Sequence, residues 1–358
     1  MIHPVARKPK RVLAKFVVSA VLLLNLNTNL MERSSILSEH RGLTRALENG
    51  GCSIEPVAEF KTPDANATRT LLTSYPGSGK RFAWLIMSAL TNYDVADDWD
   101  FPGNLNENVL TLKTSFPNPN GIWSWENQMN QVVLLLRNPR WAIPSFHTMR
   151  YELDFADDWL SSFYRIPYIY TERPSVALWN SWRDANFDIE LQAYVDHLEF
   201  WMQGGLEAET GNISPYCADN DIDCRPKAVI DFDNFYKENP DVDFFQLAGI
   251  LDKTYNSTAV EMLAASARVC ALDKVYEKTD LRHNNNRQGS GPTAQEFLFT
   301  STQLQTMQDK VTEVRDKYDA LAQGDVNSLE HELVAVLDKY IAEINGEKTL
   351  MLQVETGY

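Results

Sequence analysis

The sequence predicts an α/β fold: a three-layer sandwich with a central parallel sheet flanked by helices. Two observations carry this. Short apolar runs of strand length recur at Arg69–Ser74, Val109–Lys113, Gln131–Arg137 and Ala228–Phe232, and segments with helical spacing lie between them. Strands that alternate with helices form parallel sheets covered on both faces. A third observation is functional. Chemistry-bearing residues cluster just past the ends of these runs, where open α/β sheets bind ligands.

Taken in order, Leu71-Leu-Thr-Ser-Tyr-Pro-Gly-Ser-Gly-Lys-Arg-Phe82 carries an apolar run into a glycine-bearing turn. Phe82-Ala-Trp-Leu-Ile-Met-Ser-Ala-Leu90 then has an amphipathic pattern. A strand, a tight turn and a helix N-terminus make an anion site, because N–H groups and the positive helix end converge there. The nucleotide-triphosphate P-loop requires Gly and Ser or Thr where this chain has Ser74 and Arg81. The hydrolase nucleophile elbow requires glycines where Ser78 is flanked by Pro76 and Lys80. Val132-Val-Leu-Leu-Leu-Arg-Asn-Pro-Arg140 is a second buried-strand run. It ends in Arg137, with a hydroxyl at Ser145 eight residues on.

The ordered pair, about sixty residues apart, resembles the sulfotransferase family. That family's 5′-phosphosulfate loop reads roughly Tyr-Pro-x-Ser-Gly-Thr-Thr-Trp, and its 3′-phosphate motif is a strand ending in Arg with Ser eight residues later. Val109-Leu-Thr-Leu-Lys-Thr-Ser-Phe-Pro117 is similar to the family's strand ending in Lys-Thr-His. Val229-Ile-Asp-Phe-Asp-Asn-Phe235 with Asn239-Pro240, and Phe299-Thr-Ser-Thr-Gln-Leu304, resemble later family segments. The resemblance covers about residues 68 to 320. It implies a P-loop-like sulfotransferase fold and 3′-phosphoadenosine-5′-phosphosulfate (PAPS) as co-substrate, with no metal. It assigns the 5′-phosphosulfate to Gly77, Ser78, Gly79, Lys80 and Arg81, the adenine to Phe82, and the 3′-phosphate to Arg137 and Ser145. Lys113 falls on the catalytic lysine and Ser115 on the histidine base. Lys80 and Arg81 replace two threonines, and Gly77 stands where many members carry lysine. A serine cannot serve as a general base at neutral pH unaided. Glu107, Glu126, Asp98 and Asp100 are nearby carboxylates that could take that role.

The chain has 358 residues, 44% hydrophobic and 11% aromatic, a composition that folds. Its net charge of -16 and pI of about 4.8 argue against a nucleic-acid partner. An acidic protein that takes a polyanionic ligand needs a local basic pocket, for which Lys80, Arg81, Lys113, Arg137 and Arg140 are candidates. Residues 1–31 place Arg7, Lys8, Lys10, Arg11 and Lys15 before the apolar run Phe16–Leu24. This fits a secretory leader or a marginal signal anchor. Without a small-x-small cleavage site the expectation is a type II anchor, giving a Golgi membrane protein with a lumenal domain. A lumenal domain makes a glycan or glycoconjugate the expected acceptor. Residues 32–65 read as a polar stem, 66–345 as the sulfotransferase domain, and 346–358 as a C-terminal tail.

Asn66-Ala-Thr, Asn212-Ile-Ser and Asn256-Ser-Thr are N-glycosylation triplets. Of Cys52, Cys217, Cys224 and Cys270, the second and third flank a short polar loop that a disulfide could close in an oxidising lumen. No cysteine or histidine spacing matches a zinc site, and His147 and His197 stand without a ligand pattern. Thr300 and Gln303 fit a capping box. Leu304, Met307, Val311, Val314, Tyr318 and Leu321 then form one helical stripe. After Gly324, Leu329, Leu333, Val336, Leu337, Tyr340 and Ile341 form a second. Asn284–Pro292 reads as a polar loop.

Overall fold

The computed structural model describes residues 69–91, 93–97, 109–117, 129–154, 174–207, 209–218, 223–232 and 296–356, all within one compact unit, residues 56–358. The N-terminal anchor and stem, Asn66 and Asn256, Cys52 and Cys270, the four candidate carboxylates, Asn239-Pro240 and the 284–292 loop lie outside the described residues.

The elements run β1 (Thr70–Thr73), α1 (Lys80–Thr91), β2 (Asp94–Asp97), β3 (Val109–Thr114), β4 (Gln131–Leu136), α2 (Pro139–Asp154), α3 (Val176–Met202), α4 (Pro215–Ala218), β5 (Pro226–Asp231), α5 (Ser301–Ala322) and α6 (Leu329–Thr356). The strands form one all-parallel sheet in the order β2-β3-β1-β4-β5, so the expected α/β class with a parallel sheet and packed helices holds. All four expected strands are present, within two residues at either end. β2 was not expected. Its sequence, Asp-Val-Ala-Asp, has no apolar run, and among the described residues it is an edge strand that pairs only with β3.

Both faces of the central strands are buried, successive side chains entering opposite layers. Leu71, Leu112, Val132, Leu134 and Leu136 join a core with Phe146 of α2, Trp179, Leu191 and Trp201 of α3, and the inner faces of α5 and α6. Leu72, Leu110, Val133 and Leu135 are equally buried but lie outside that cluster. Helix α1 packs on β1, β2 and β3, with Ala83, Ile86 and Met87 buried. The buried residues of α1, Ala83, Ile86 and Met87, lie outside the cluster that Phe146 of α2 and Trp179 of α3 join, so α1 and the α2–α3 pair cover opposite faces.

Helix α2 begins where Asn138 caps it, its side-chain oxygen accepting from the Arg140 N–H at 3.0 Å, and Pro139 takes the first helical position. The capping box at α5 is present: the Gln303 N–H donates to Thr300 Oγ1 (3.2 Å) and the Thr300 N–H to Gln303 Oε1 (3.0 Å). The stripe from Leu304 to Tyr318 is buried as expected, but Leu321 is 55% exposed and Ala322 takes its place inside. At 3.6 residues per turn, an i+3 step from Tyr318 has rotated off the core face while i+4 returns to it.

Helix α6 runs without interruption to Thr356, so the segment expected as a tail from 346 continues the helix. The Glu355 carboxylate accepts from both the N–H and the hydroxyl of Ser301, at the start of α5. Cys217 and Cys224 form the disulfide that their spacing suggested. Among the described residues, no helix is long and apolar enough to cross a membrane.

Candidate functional site

β1 and β4 are neighbours, but their outgoing connections run to opposite faces of the sheet. Such a switch point opens a crevice beyond the strands' C-terminal ends. Both principal motifs of the sequence fall there.

The turn after β1 is shaped by two glycines. Gly77 has φ +85°, and a Cβ on it would lie 2.3 Å from the Ala142 carbonyl oxygen and 2.7 Å from the Phe146 nitrogen, both on α2. Gly79 has φ +81°, and its Cβ would meet the Phe232 ring at 2.2 Å. Left-handed backbone and contact with neighbouring atoms both require glycine here. The turn is closed by the Ser78 N–H donating to the Tyr75 carbonyl (3.2 Å) and the Phe82 N–H to the Gly79 carbonyl (2.9 Å). Ser78 is buried, and its hydroxyl has no hydrogen-bond partner. A buried unpaired hydroxyl in a turn at a helix N-terminus suits an incoming acceptor, and the charge of an anion fits the helix end.

Arg137 joins the two motifs. Its Nη1 donates to the Gly77 carbonyl and to Ser145 Oγ, each at 2.9 Å. Ser145 lies on α2, two turns past the end of β4, so the eight-residue spacing becomes a direct contact. The guanidinium also sits over the Phe232 ring, 5.1 Å from its centroid. The Tyr194 hydroxyl donates to the Arg137 carbonyl (2.9 Å), tying the strand end to α3. Phe82 is 4% exposed and meets Phe232 edge to face at 6.1 Å. Phe232 thus touches Gly79, Phe82 and Arg137, a convergence across about 150 residues that no local pattern announces.

On the other side of β1, the Lys80 ammonium donates to Ser115 Oγ. Lys113 lies near the end of β3, opposite Leu72 of β1 and Asp97 of β2, and is partly buried. The structure therefore brings Gly77, Ser78, Gly79, Phe82, Arg137 and Ser145 into one group and pairs Lys80 with Ser115. Arg81 sits in the first turn of α1. Arg140 does not join the pocket. It is buried, and its Nε donates to the Glu347 carboxylate of α6 at 2.6 and 2.5 Å. Burial alone pulls its pKa down, opposed by the Glu347 hydrogen bond and charge.

Two buried groups under the turn carried no sequence signal. The Tyr75 hydroxyl donates to Glu190 Oε2 at 2.7 Å, and burial first of all raises the pKa of both. His197 Nε2 lies 3.3 Å from Thr73 Oγ1 at the end of β1. Burial, and secondarily the charge of Lys80, hold its pKa well below the usual histidine value. It is a neutral imidazole beside the Lys80–Ser115 pair. Its partners are more than a hundred residues away in sequence, so α3 showed only a helical stripe.

No protein-family model, curated protein or solved structure matches the chain.

Proposed function

We propose that this protein is a sulfotransferase with a P-loop-like fold, moving a sulfonate group from PAPS to a hydroxyl of a glycan or glycoconjugate in the Golgi lumen. One observation carries the reading: Arg137 binds both Gly77 and Ser145, so two motifs sixty residues apart meet at one switch point. The Cys217–Cys224 disulfide supports an oxidising compartment.

The residues present fit an anionic donor. The turn Gly77–Gly79 and the unpaired Ser78 hydroxyl would receive the 5′ end, with Lys80 and Arg81 in the first turn of α1 supplying positive charge. Arg137 and Ser145 would hold the 3′-phosphate. Phe82, buried edge-on to Phe232, would have to swing out of that contact to stack on adenine. When bound, the donor supplies the sulfonate to be moved. The protein's part is positioning and charge stabilisation. Lys113 stabilises negative charge on the leaving oxygen. Ser115, held by Lys80, orients the acceptor hydroxyl.

A second reading is a member of the same fold that binds the nucleotide or a glycan without turnover. It is favoured by the Lys80–Ser115 contact, because a serine that accepts from an ammonium is a poor base. Calorimetric titration with 3′,5′-adenosine bisphosphate, against AMP and ATP, tests the first reading. Binding that depends on the 3′-phosphate is expected. A folded sample that ignores the bisphosphate would sink it, and binding without transfer to any hydroxyl acceptor would leave the second reading.

A further inference from the structure

The triplet Asn212-Ile-Ser plays no part in the site, yet one of its atoms is unexplained by the fold. Asn212 stands in an exposed turn that closes a short hairpin. The Glu207 N–H donates to its carbonyl at 2.9 Å, and Leu206 bridges Ile213 in antiparallel fashion. Among the described residues, nothing hydrogen-bonds its carboxamide.

Two residues on, Ser214 is fully buried. Its backbone is fully used: its N–H donates to the Gly205 carbonyl (2.8 Å), and its carbonyl accepts from Cys217 (2.9 Å) and Ala218 (3.1 Å). Among the described residues, its hydroxyl has no partner. The residue stands just before α4, where a serine oxygen would ordinarily cap the following N–H groups, and here it does not. A buried hydroxyl without a hydrogen bond destabilises a fold relative to alanine, which fills nearly the same space. The folded protein therefore makes no use of this oxygen. The unfolded chain can, because the third position of an Asn-x-Ser/Thr triplet is what the glycosylating enzyme reads.

We infer that Asn212 is an N-glycosylation site, and that the sugar is attached before this segment folds and buries Ser214. The inference rests on the lumenal reading above. In the transfer, the C1–O bond of a lipid-linked diphospho-oligosaccharide breaks and a C1–N bond to the Asn212 carboxamide forms. One amide proton is released, and the lipid diphosphate leaves. The Cys217–Cys224 bridge, which begins three residues past Ser214, closes in the same compartment.

The test expresses the full chain in a eukaryotic secretory host and releases N-glycans with an amidase in heavy-oxygen water. That step converts an occupied Asn212 into labelled aspartate. Label at Asn212 is expected, with one glycan's mobility step lost in Asn212→Gln. Ser214→Ala should lose the same step while its melting temperature stays level or rises, and Ser214→Thr should keep the glycan. Label at Asn66 or Asn256 but not at Asn212 would overturn the inference and leave the lumenal reading standing. No label at any triplet, with Cys217 and Cys224 recovered as thiols, would overturn both. A lower melting temperature for Ser214→Ala than for Asn212→Gln, which lacks the same glycan, would show that the hydroxyl serves the fold and remove the argument.

Discussion

Along α5 the core is filled by a repeating stripe, Leu304, Met307, Val311, Val314 and Tyr318, whereas between β1 and α1 it is approached by backbone that carries no side chain at all. The stripe spreads apolar volume over several turns, so each residue contributes a share. The turn has Gly77 against α2 and Gly79 against Phe232, with added atoms meeting neighbours at 2.2–2.3 Å. One region can lose material and relax locally, while the other can accept none. Packing that fills a helix interface and packing that closes a glycine turn therefore fail in different ways.

The comparison can be broken most severely at Gly77. Gly77→Ala adds a Cβ into the α2 backbone and holds φ in the left-handed region, so a loss of roughly 2–6 kcal/mol is expected. Urea unfolding measures it, and bisphosphate binding should fall in parallel. Leu337→Ala, in the fully buried stripe of α6, should cost about 2–5 kcal/mol through its cavity. There, any molecules still folded should bind the bisphosphate with unchanged affinity. If binding falls as far as stability does, the two regions are coupled and the distinction drawn above fails.

Arg137→Ala sharpens the site half. On the proposed reading, losing a charge-assisted partner of a phosphate costs about 1.5–3 kcal/mol, so calorimetry should show binding weaker by about tenfold to a hundredfold. Lys113→Ala should leave the dissociation constant alone and slow sulfonate transfer. An unchanged rate would remove Lys113 from the chemistry.

Acid should have the smallest effect, acting through two buried histidines, His147 on α2 and His197 on α3. His147 lies among Trp179, Trp182 and Phe297, and burial pushes its pKa down to about 4, while burial holds His197 well below the usual histidine value. The unfolded chain protonates these groups below about pH 6.5 and the folded state does not. Stability is therefore complete above that pH and lost as pH falls from 6.5 toward 4. Melting temperatures recorded across this range should decline, and His147→Leu should flatten part of the slope.

Much of the sheet was legible because a parallel strand buried on both faces must be a continuous apolar run, as Gln131–Leu136 is. β2 escaped because an edge strand needs no such run. The α5 capping box was legible because its two residues are three apart. The resemblance had placed Arg137 and Ser145 at one site, and their direct contact is what an eight-residue step across a strand end and two helical turns produces. Phe232, Glu190 and His197 were not, since each meets the site only through the fold. Arg140 illustrates the opposite error. A charge adjacent to a motif read as part of the pocket, but a carboxylate 207 residues later claimed it.

That pairing has a consequence during synthesis. Arg140 is buried beside β4, Asn138 Nδ2 donates to Glu343, and Asp231 at the end of β5 accepts from Lys339 and Tyr340. All of these partners lie on α6. A ribosome that has finished the whole sheet has still not released the groups that neutralise its strand ends. The nascent domain must hold a guanidinium and a carboxylate in water, unable to bury either, until α6 emerges.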